Sequence, residues 1–364
     1  MLKGIDIMKN IEVQALEAMR SLLQEVPSIE IGAVNHELMH APVKGYDIVI
    51  DIGHLGRNYS MVIEVKQQGQ PRYVRQAIYQ LRNYMVHGGH SDNQSVPVLI
   101  APYLSPESRA LCLELGVSYL DLFGNARVSF GSVYIDRAVA NKPKTETRSL
   151  RSIFSPKASA ILRVLLSELG KSWRVIELSE VAQVSLGHVS NVRKALLERE
   201  WVEEREGGIA VTNPNALLKT WREHYRRPIT QTKKGYSIYH GSQLENILKG
   251  VLINEPEGAR AVCSMQSAAK WIAPYGRDGT NTFYANEWGA EVLMNALALS
   301  ETTKGENVVV KIVKDDSLFV DVIEPIPRLY CTSPVQTYLD LWSGNERDRE
   351  SANVLAQECL PWLQ

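Results

Sequence analysis

Four charged residues lie in and beside two short apolar runs near the N-terminus, in the stretch GYDIVIDIGHLGRNYSMVIEVKQQ (45–68). Asp47 and Asp51 belong to the first run, and Glu64 and Lys66 close the second. Side chains two residues apart on a strand share a face, so Glu64 and Lys66 point the same way. If the two strands are neighbours, Asp47 and Glu64 could meet at one end.

A pair of carboxylates at such a corner can bind Mg²⁺, which keeps several of its water ligands. A lysine beside them can orient or deprotonate a bound water for attack on phosphorus, and Lys66 is placed for that role. A second interpretation stays open. The charges could instead pair with one another at a solvated edge, as in a site that has lost its activity.

The elements around this stretch predict one α/β domain that ends near residue 137. A helix over 10–26 comes first, with apolar residues at helical spacing, and strands follow at 29–34, 46–53 and 60–66. The full predicted order is α-β-β-β-α-β-α-ββ, closed by a hairpin about Gly124-Asn125.

This order, with Asp47 followed by Glu64-Val65-Lys66, resembles the PD-(D/E)xK nuclease superfamily of restriction enzymes and RecB-like nucleases. The segment QLRNY (80–84) is similar to the Gln-x-x-x-Tyr motif of RecB-like members, although Tyr46 replaces the proline of the main motif. The resemblance implies a restriction-endonuclease-like fold. It also implies Mg²⁺ on Asp47 and Glu64, with catalytic roles for Lys66 and Gln80.

A different pattern covers residues 153–212, after a polar linker predicted over 138–152. Three helical segments are followed by two short strands about Gly207-Gly208, and this resembles a winged helix-turn-helix. Val181 and Leu196 are predicted to lie in its core. The third helix would present polar and cationic residues to duplex DNA, through phosphate and base-edge contacts; these are His188, Ser190, Asn191, Arg193 and Lys194.

Charge supports a nucleic-acid partner for this middle section. Residues 138–227 contain 16 Lys/Arg and 10 Asp/Glu, although the whole chain has a net charge of −1. A basic section in a nearly neutral protein is typical of a nucleic-acid face. The predicted wing is acidic, however, with Glu203, Glu204 and Glu206 around Arg205, which argues against deep insertion of the wing into DNA. Protein docking or dimerisation through the winged helix remains the alternative.

Residues 228–364 predict a third region of mixed strands and helices, α/β or α+β. Two stretches, GVSYLDLFGNARVSF (116–130) and TSPVQTYLDLWSGNERDRESANVLAQECL (332–360), resemble the AbiEi-type antitoxins and related regulators of type IV toxin–antitoxin systems. The resemblance implies an operon repressor with a cognate toxin or operon partner. Within these stretches, Asp121 and Asn125 are interpreted as turn residues, and YLDLW as a core face.

Composition limits the remaining classes. The four cysteines are scattered without a CxxC pair, which disfavours a structural zinc site and favours reduced thiols. We find no signal-peptide pattern and no long apolar run, so a soluble cytoplasmic protein without a membrane partner is expected.

The sequence therefore predicts an α/β multidomain protein. Its parts are a nuclease-like domain (1–137), a linker (138–152), a winged helix (153–227) and an antitoxin-like domain (228–364). Its expected function is DNA-binding transcription regulation of the antitoxin type, by a cytoplasmic protein that contacts double-stranded DNA. A cognate toxin or operon partner protein and a homodimer are the expected protein partners. The alternative is a Mg²⁺-dependent endonuclease that the winged helix targets to DNA.

Overall fold

The structure is a computed structural model that describes residues 2–36, 46–87, 94–253, 258–275, 279–302 and 304–363. The chain divides into two compact units. One contains residues 1–147 with 198–200, and the other contains 148–197 with 201–364. Both units combine helices with β-sheet, which confirms the mixed α/β class. None of the helices in the described ranges is both long and apolar enough to cross a membrane.

The first unit is built on a seven-stranded sheet in which the strands lie in chain order. The pairs β3–β4 and β4–β5 are parallel, and the other neighbours are antiparallel. The bounds are α1 (Leu2–Gln24), β1 (Ile29–His36), β2 (Ile48–His54), β3 (Arg57–Val65), α2 (Pro71–His87), β4 (Ser95–Ala101), α3 (Pro106–Glu114), β5 (Ser118–Asp121), β6 (Ala126–Phe130) and β7 (Val133–Arg137).

The predicted order of elements is present, with one more strand at the end. The predicted hairpin about Gly124-Asn125 is formed by β5 and β6. The chain then turns again at Gly131, whose φ of +52° suits a residue without Cβ, and β7 pairs back on β6. Because this second turn interrupts an alternating apolar pattern, the pattern alone did not separate β6 from β7.

Helices cover both faces of this sheet. In β2, Ile48 and Ile50 pack in the cluster that includes Met19 of α1, whereas Val49 packs in the cluster that includes Ile78 of α2. The alternation of side chains along a strand explains this division, since successive residues face opposite sides of the sheet. The charged ends of β2 and β3 thus belong to a sheet buried on both faces, which holds them in fixed positions.

The second unit begins with three helices, a β-ribbon and a further helix, preceded by α4 (Lys144–Ile153), and we call α5 to α8 with this ribbon the helix–ribbon part. It consists of α5 (Pro156–Ser167), α6 (Val175–Val181), α7 (Leu186–Glu198), β8 (Val202–Arg205), β9 (Gly208–Val211) and α8 (Pro214–His224). The stretch predicted as a linker over 138–152 is therefore largely helical in α4. Its Leu150 and Ile153 are buried, because residues three apart share one helix face.

The β-ribbon of β8 and β9 gains a third partner in Trp173, which exchanges backbone hydrogen bonds with Ile209. Leu178, Val189 and Leu196 form part of the core beneath it. Val181, predicted for this core, is 45% exposed. It is the last residue of α6, and the inward positions there are taken by Leu178 and Ala182.

The rest of the second unit contains another seven-stranded sheet, in the order β13-β10-β14-β12-β11-β16-β15. Its elements are β10 (Ile229–Tyr236), α9 (Gly241–Val251), β11 (Ala261–Cys263), α10 (Gln266–Ile272), β12 (Asn281–Ala285), α11 (Glu287–Ala296), β13 (Ser300–Glu301), β14 (Val308–Val313), a short 3₁₀ helix (Asp316–Phe319), β15 (Ile323–Ile326), β16 (Leu329–Cys331), α12 (Pro334–Trp342) and α13 (Glu346–Cys359).

Residues 317–323, SLFVDVI, are an apolar run typical of a strand, but 317–319 lie in the 3₁₀ helix. The Asp315 side chain accepts a hydrogen bond from the Ser317 backbone N–H at 3.0 Å, which begins the 3₁₀ helix. Only Ile323 of this stretch belongs to a strand, β15. Local capping by an aspartate thus overrides the β propensity of the apolar residues that follow.

One hydrophobic core joins the helix–ribbon part to the C-terminal helices. Leu165 of α5 and Trp221 of α8 lie in the same buried cluster as Leu339 of α12 and Leu355 of α13. Residues 153–227 and 228–364, predicted as separate domains, thus share a core within one compact unit.

Candidate functional site

The acidic and basic residues predicted for the N-terminal site lie at neighbouring points of the first unit. Glu64 is near the end of β3, Lys66 directly follows that strand, and Gln80 lies in α2. Lys66 Nζ donates to Glu64 Oε1 at 2.5 Å and to Gln80 Oε1 at 2.9 Å. The lysine therefore joins the strand to the helix.

Asp47 lies beside this cluster, directly before β2. Its Oδ2 accepts the Val65 backbone N–H at 2.6 Å, and its own N–H donates to the Ile63 carbonyl at 2.9 Å. These bonds hold Asp47 against Val65 at the end of β3, and Val65 directly follows Glu64 in the chain. Asp51 does not take part, because its carboxylate accepts from Ser60 Oγ further along the same two strands.

The electrostatics of the cluster fit either of two roles. Glu64 is only 7% exposed, and a buried carboxylate needs a cation or several donors beside it. Lys66 supplies the charge, as an ion-pair interpretation requires. The same donor set of two adjacent carboxylates also fits a hard divalent cation such as Mg²⁺. Within the described ranges, no group of three or more His, Cys, Asp and Glu residues could hold a metal ion.

The aromatic residue of the Gln-x-x-x-Tyr segment also lies near this site. The Tyr84 ring meets the Tyr46 ring edge-on, with centroids 4.7 Å apart. This contact joins Tyr46, the residue before Asp47, to α2, the helix that carries Gln80.

All five residues predicted to contact DNA lie on α7. Ser190, Asn191 and Lys194 are exposed, whereas His188 and Arg193 are half-buried. The His188 Nε2 atom is buried and has no hydrogen-bond partner in the part of the chain that the structure describes. At the start of the helix, Ser185 Oγ accepts the His188 backbone N–H at 3.4 Å.

The acidic wing engages one of these predicted contacts. Arg193 Nη2 donates to Glu204 Oε1 of β8 at 2.5 Å, and both side chains are substantially exposed. Arg205 pairs in the same strand with Glu203 at 2.6 Å. The wing carboxylates thus offset cationic charge on the surface that α7 presents.

The sequence analysis did not identify a buried polar network in the second unit. Asp340 of α12 is fully buried, and its Oδ1 accepts both the Tyr225 hydroxyl and the Tyr284 hydroxyl at 2.6 Å. Gln336 Nε2 donates to Asp340 Oδ2 at 3.2 Å and to the Tyr225 hydroxyl oxygen at 2.7 Å. Arg227 Nη2 donates to the Asp340 backbone carbonyl at 3.0 Å.

Burial governs protonation in this network. It raises the pKa of Asp340, although hydrogen bonds from the two tyrosines and Gln336 act in the opposite direction. It also raises the pKa of Tyr225 and of Tyr284 well above the usual value, and the nearby Asp340 charge adds to that shift. Both hydroxyls are therefore held as donors to the carboxylate.

Two arginines of the helix–ribbon part bond to the elements around this network. Arg163 of α5 donates to Asp321 Oδ1 at 2.7 Å, to Gln336 Oε1 at 3.2 Å and to the Ser317 carbonyl at 2.6 Å. Arg222 of α8 donates to the Tyr338 hydroxyl at 2.9 Å and lies 3.9 Å from the centre of the Trp342 ring. A lone charge inside an apolar run was the available signal, as in ILRVLL and YLDLW.

Asp121 and Asn125, interpreted as turn residues, form a closed set of bonds. Asp121 accepts the backbone N–H groups of Leu104 and Asn125 and the Asn125 side-chain amide. Asn125 Oδ1 accepts from Arg109 Nη1 and from the Val139 N–H, both at 2.8 Å. The buried pair thus organises the β5–β6 turn and the chain that follows β7.

Comparison with known proteins gives one match. A family described as "Transcriptional regulator, AbiEi antitoxin, Type IV TA system" matches residues 210–361. The match supports the antitoxin resemblance for this segment, which contains Tyr225, Tyr284, Gln336 and Asp340. No curated protein and no solved structure matches the chain.

Proposed function

We propose that this chain is a DNA-binding transcriptional regulator of the type IV antitoxin kind, which contacts duplex DNA through α7. The observation that carries the proposal is that the family-matched segment is continuous with the elements around α7. The antitoxin-family segment, 210–361, begins within β9 of the ribbon that follows α7. The two parts also share one hydrophobic core.

The surface of α7 supports contact with a polyanion. Ser190 and Asn191 are exposed short polar side chains that can reach phosphate and base edges. Arg193 and Lys194 follow them and can neutralise phosphates. A family of toxin–antitoxin regulators also implies a cognate toxin, which we expect to be a partner of the 228–364 region. A homodimer on a two-fold symmetric operator is compatible with this function.

The test compares DNA binding by the unmodified protein with that of Arg193→Ala/Lys194→Ala. Fluorescence anisotropy would use the duplex upstream of the protein's own gene over a range of salt concentrations. Loss of two phosphate contacts should weaken binding and make the slope of log K against log salt shallower by about 1.8. The matched control, Lys219→Ala/Lys304→Ala, removes two exposed cations outside α7 and should retain the slope.

An unchanged affinity in the α7 double variant would contradict the proposal. If the same variant bound a partner protein and did not bind DNA, the second unit would be assigned to protein docking. Co-purification with the product of an adjacent nucleotidyltransferase-like gene would support the antitoxin role.

The second candidate function is Mg²⁺-dependent DNA cleavage by the first unit. It is favoured by the convergence of Glu64, Lys66 and Gln80 beside Asp47. In this proposal Asp47 and Glu64 would hold Mg²⁺, which supplies Lewis-acid chemistry and a more acidic bound water. Lys66 would position the attacking water, and Gln80 would hold the lysine side chain in place.

Plasmid nicking in Mg²⁺ or Mn²⁺ tests this second candidate, together with calorimetric titration of the metal. Cleavage should be abolished by Lys66→Ala, whereas metal binding should be lost in Asp47→Ala and in Glu64→Ala. Asp51→Ala is the control, since its carboxylate bonds to Ser60 and lies outside the cluster. Absence of both metal binding and nicking in the unmodified protein would leave the ion-pair interpretation.

A further inference from the structure

A cavity of about 560 Å³ lies within the second unit, between the start of α5, the chain after α8 and the 3₁₀ helix. Its volume is in the range of small-molecule sites. Five cationic side chains line it, and no Asp or Glu is among its lining residues in the described part of the chain. The cations are Arg151, Arg163, Arg226, Arg227 and Lys314.

Two of the guanidinium groups are held in place by the protein. Arg163 is 3% exposed and is fixed by its bonds to Asp321, Gln336 and the Ser317 carbonyl. Arg227 is anchored through Nη2 on the Asp340 carbonyl. Its Nε is buried without a hydrogen-bond partner among the described residues. A buried donor in this state normally has a ligand or a water as its acceptor.

The start of α5 adds to the positive potential. Ser155, Pro156 and Ser159 line the cavity, and the Ser155 side chain forms no capping hydrogen bond with the helix. The first N–H groups of a helix, together with its dipole, favour an anion at that end. The guanidinium forks and the helix terminus therefore favour the same class of group, a phosphate.

Aromatic and apolar residues make up much of the remaining lining. Phe154 and His224 stack with centroids 6.1 Å apart, and Pro228, Ile229 and Leu318 also line the cavity. An inorganic anion would leave these residues uncovered. We propose that the cavity binds a small molecule with several phosphates and a flat ring, of the class of nucleoside polyphosphates.

The position of the cavity gives such a ligand a way to affect both parts of the unit. Gln336 lines the cavity, accepts from Arg163 of α5 and donates to Asp340 of α12. A ligand that binds only the folded state stabilises it by mass action. This binding does not depend on DNA contact by α7, so the two proposals can fail separately.

Isothermal titration calorimetry of the full chain with ATP tests the proposal. EDTA is included, so that divalent metal at Asp47 and Glu64 does not contribute. ATP should bind more tightly than inorganic phosphate or adenosine. Arg151→Gln/Lys314→Gln removes two exposed cavity cations and should weaken ATP binding about tenfold or more. Lys219→Gln/Lys304→Gln, with the same change of charge elsewhere, should alter it by less than about twofold.

Three results would overturn the proposal. The first is absence of ATP binding at low salt, and the second is equal weakening by the cavity and control variants. The third is weaker binding of duplex DNA, but not of ATP, in the cavity variant, which would make these cations part of a DNA face. Circular dichroism of both double variants verifies that they are folded.

Discussion

At the scale of single residues, the buried carboxylates of the two units have different kinds of hydrogen-bond partner. Glu64 is matched by a lysine, whereas Asp340 is held mainly by neutral donors, two tyrosine hydroxyls and an amide. Hydrogen bonds to a charged group contribute about 1.5–3 kcal/mol each, roughly twice the contribution of a neutral pair. The Asp340 network is thus a strong determinant of stability in the second unit.

Replacement of either tyrosine tests this role. Tyr225→Phe and Tyr284→Phe each remove one donor to Asp340, and each should lower the free energy of unfolding by about 1.5–3 kcal/mol in urea denaturation. Tyr236→Phe changes an exposed tyrosine in β10 and should alter it by less than about 0.5 kcal/mol. Equal effects at all three positions would show that the bonds to Asp340 add nothing specific.

The same tyrosines predict a dependence on alkaline pH. Their pKa values are raised in the folded protein, so an unfolded chain releases these protons first, near pH 10. Their contribution to stability is complete below that pH and falls as the pH rises above it. Tyr225→Phe/Tyr284→Phe should therefore lose less stability than the unmodified protein between about pH 9 and 11. Thermal unfolding across this pH range measures the effect. A parallel decline in the stability of both proteins would exclude this linkage.

At the scale of elements, β8 and α7 carry side chains of opposite charge that face each other. Glu204 of β8 pairs with Arg193 of α7, and an exposed pair of this kind adds only about 0–1 kcal/mol to stability. If α7 contacts DNA as proposed, Glu204 would compete with DNA phosphate for Arg193. The acidity of β8 would then lower the affinity for DNA without changing the fold.

Glu204→Gln should release Arg193 and strengthen binding to duplex DNA. One additional phosphate contact should make the slope of log K against log salt steeper by about 0.9. Glu168→Gln is the matched control, since it removes a carboxylate paired with Lys171 outside α7. A gain of equal size in both variants would indicate a general effect of net charge.

The elements of both units were largely predictable, and their grouping was not. Hydrophobic periodicity placed α7, the ribbon and the strands around Glu64, because each pattern is local. The helix over 144–153 was missed because a short amphipathic helix carries a weak periodic signal. The strand β7 was missed because a single glycine turn is also a weak signal. The charge inside YLDLW was a signal for Asp340, but its partners were not predictable, because Tyr225, Tyr284 and Gln336 come together only through tertiary packing.

At the scale of the whole molecule, the shared hydrophobic core predicts that α5 and α12 unfold cooperatively. Leu339 of α12 is 1% exposed and lies in one cluster with Leu165 of α5. Parts that share a core are expected to unfold together, because a cavity in one removes contacts from the other. Residues 228–364 would then stabilise α5 and α8 as well as their own elements.

Leu339→Ala tests that coupling through hydrogen exchange. Truncation of a buried leucine should cost about 2–5 kcal/mol, and the loss of protection should appear in α5 and α8 as well as in α12. Leu169→Ala, at a partly exposed position after α5, should leave all three helices protected. Loss of protection confined to α12 and α13 would mean that the two parts unfold independently, as the separate domains of the sequence prediction would. Loss in all of them would mean that a change in α12 alters the stability of the helix–ribbon part.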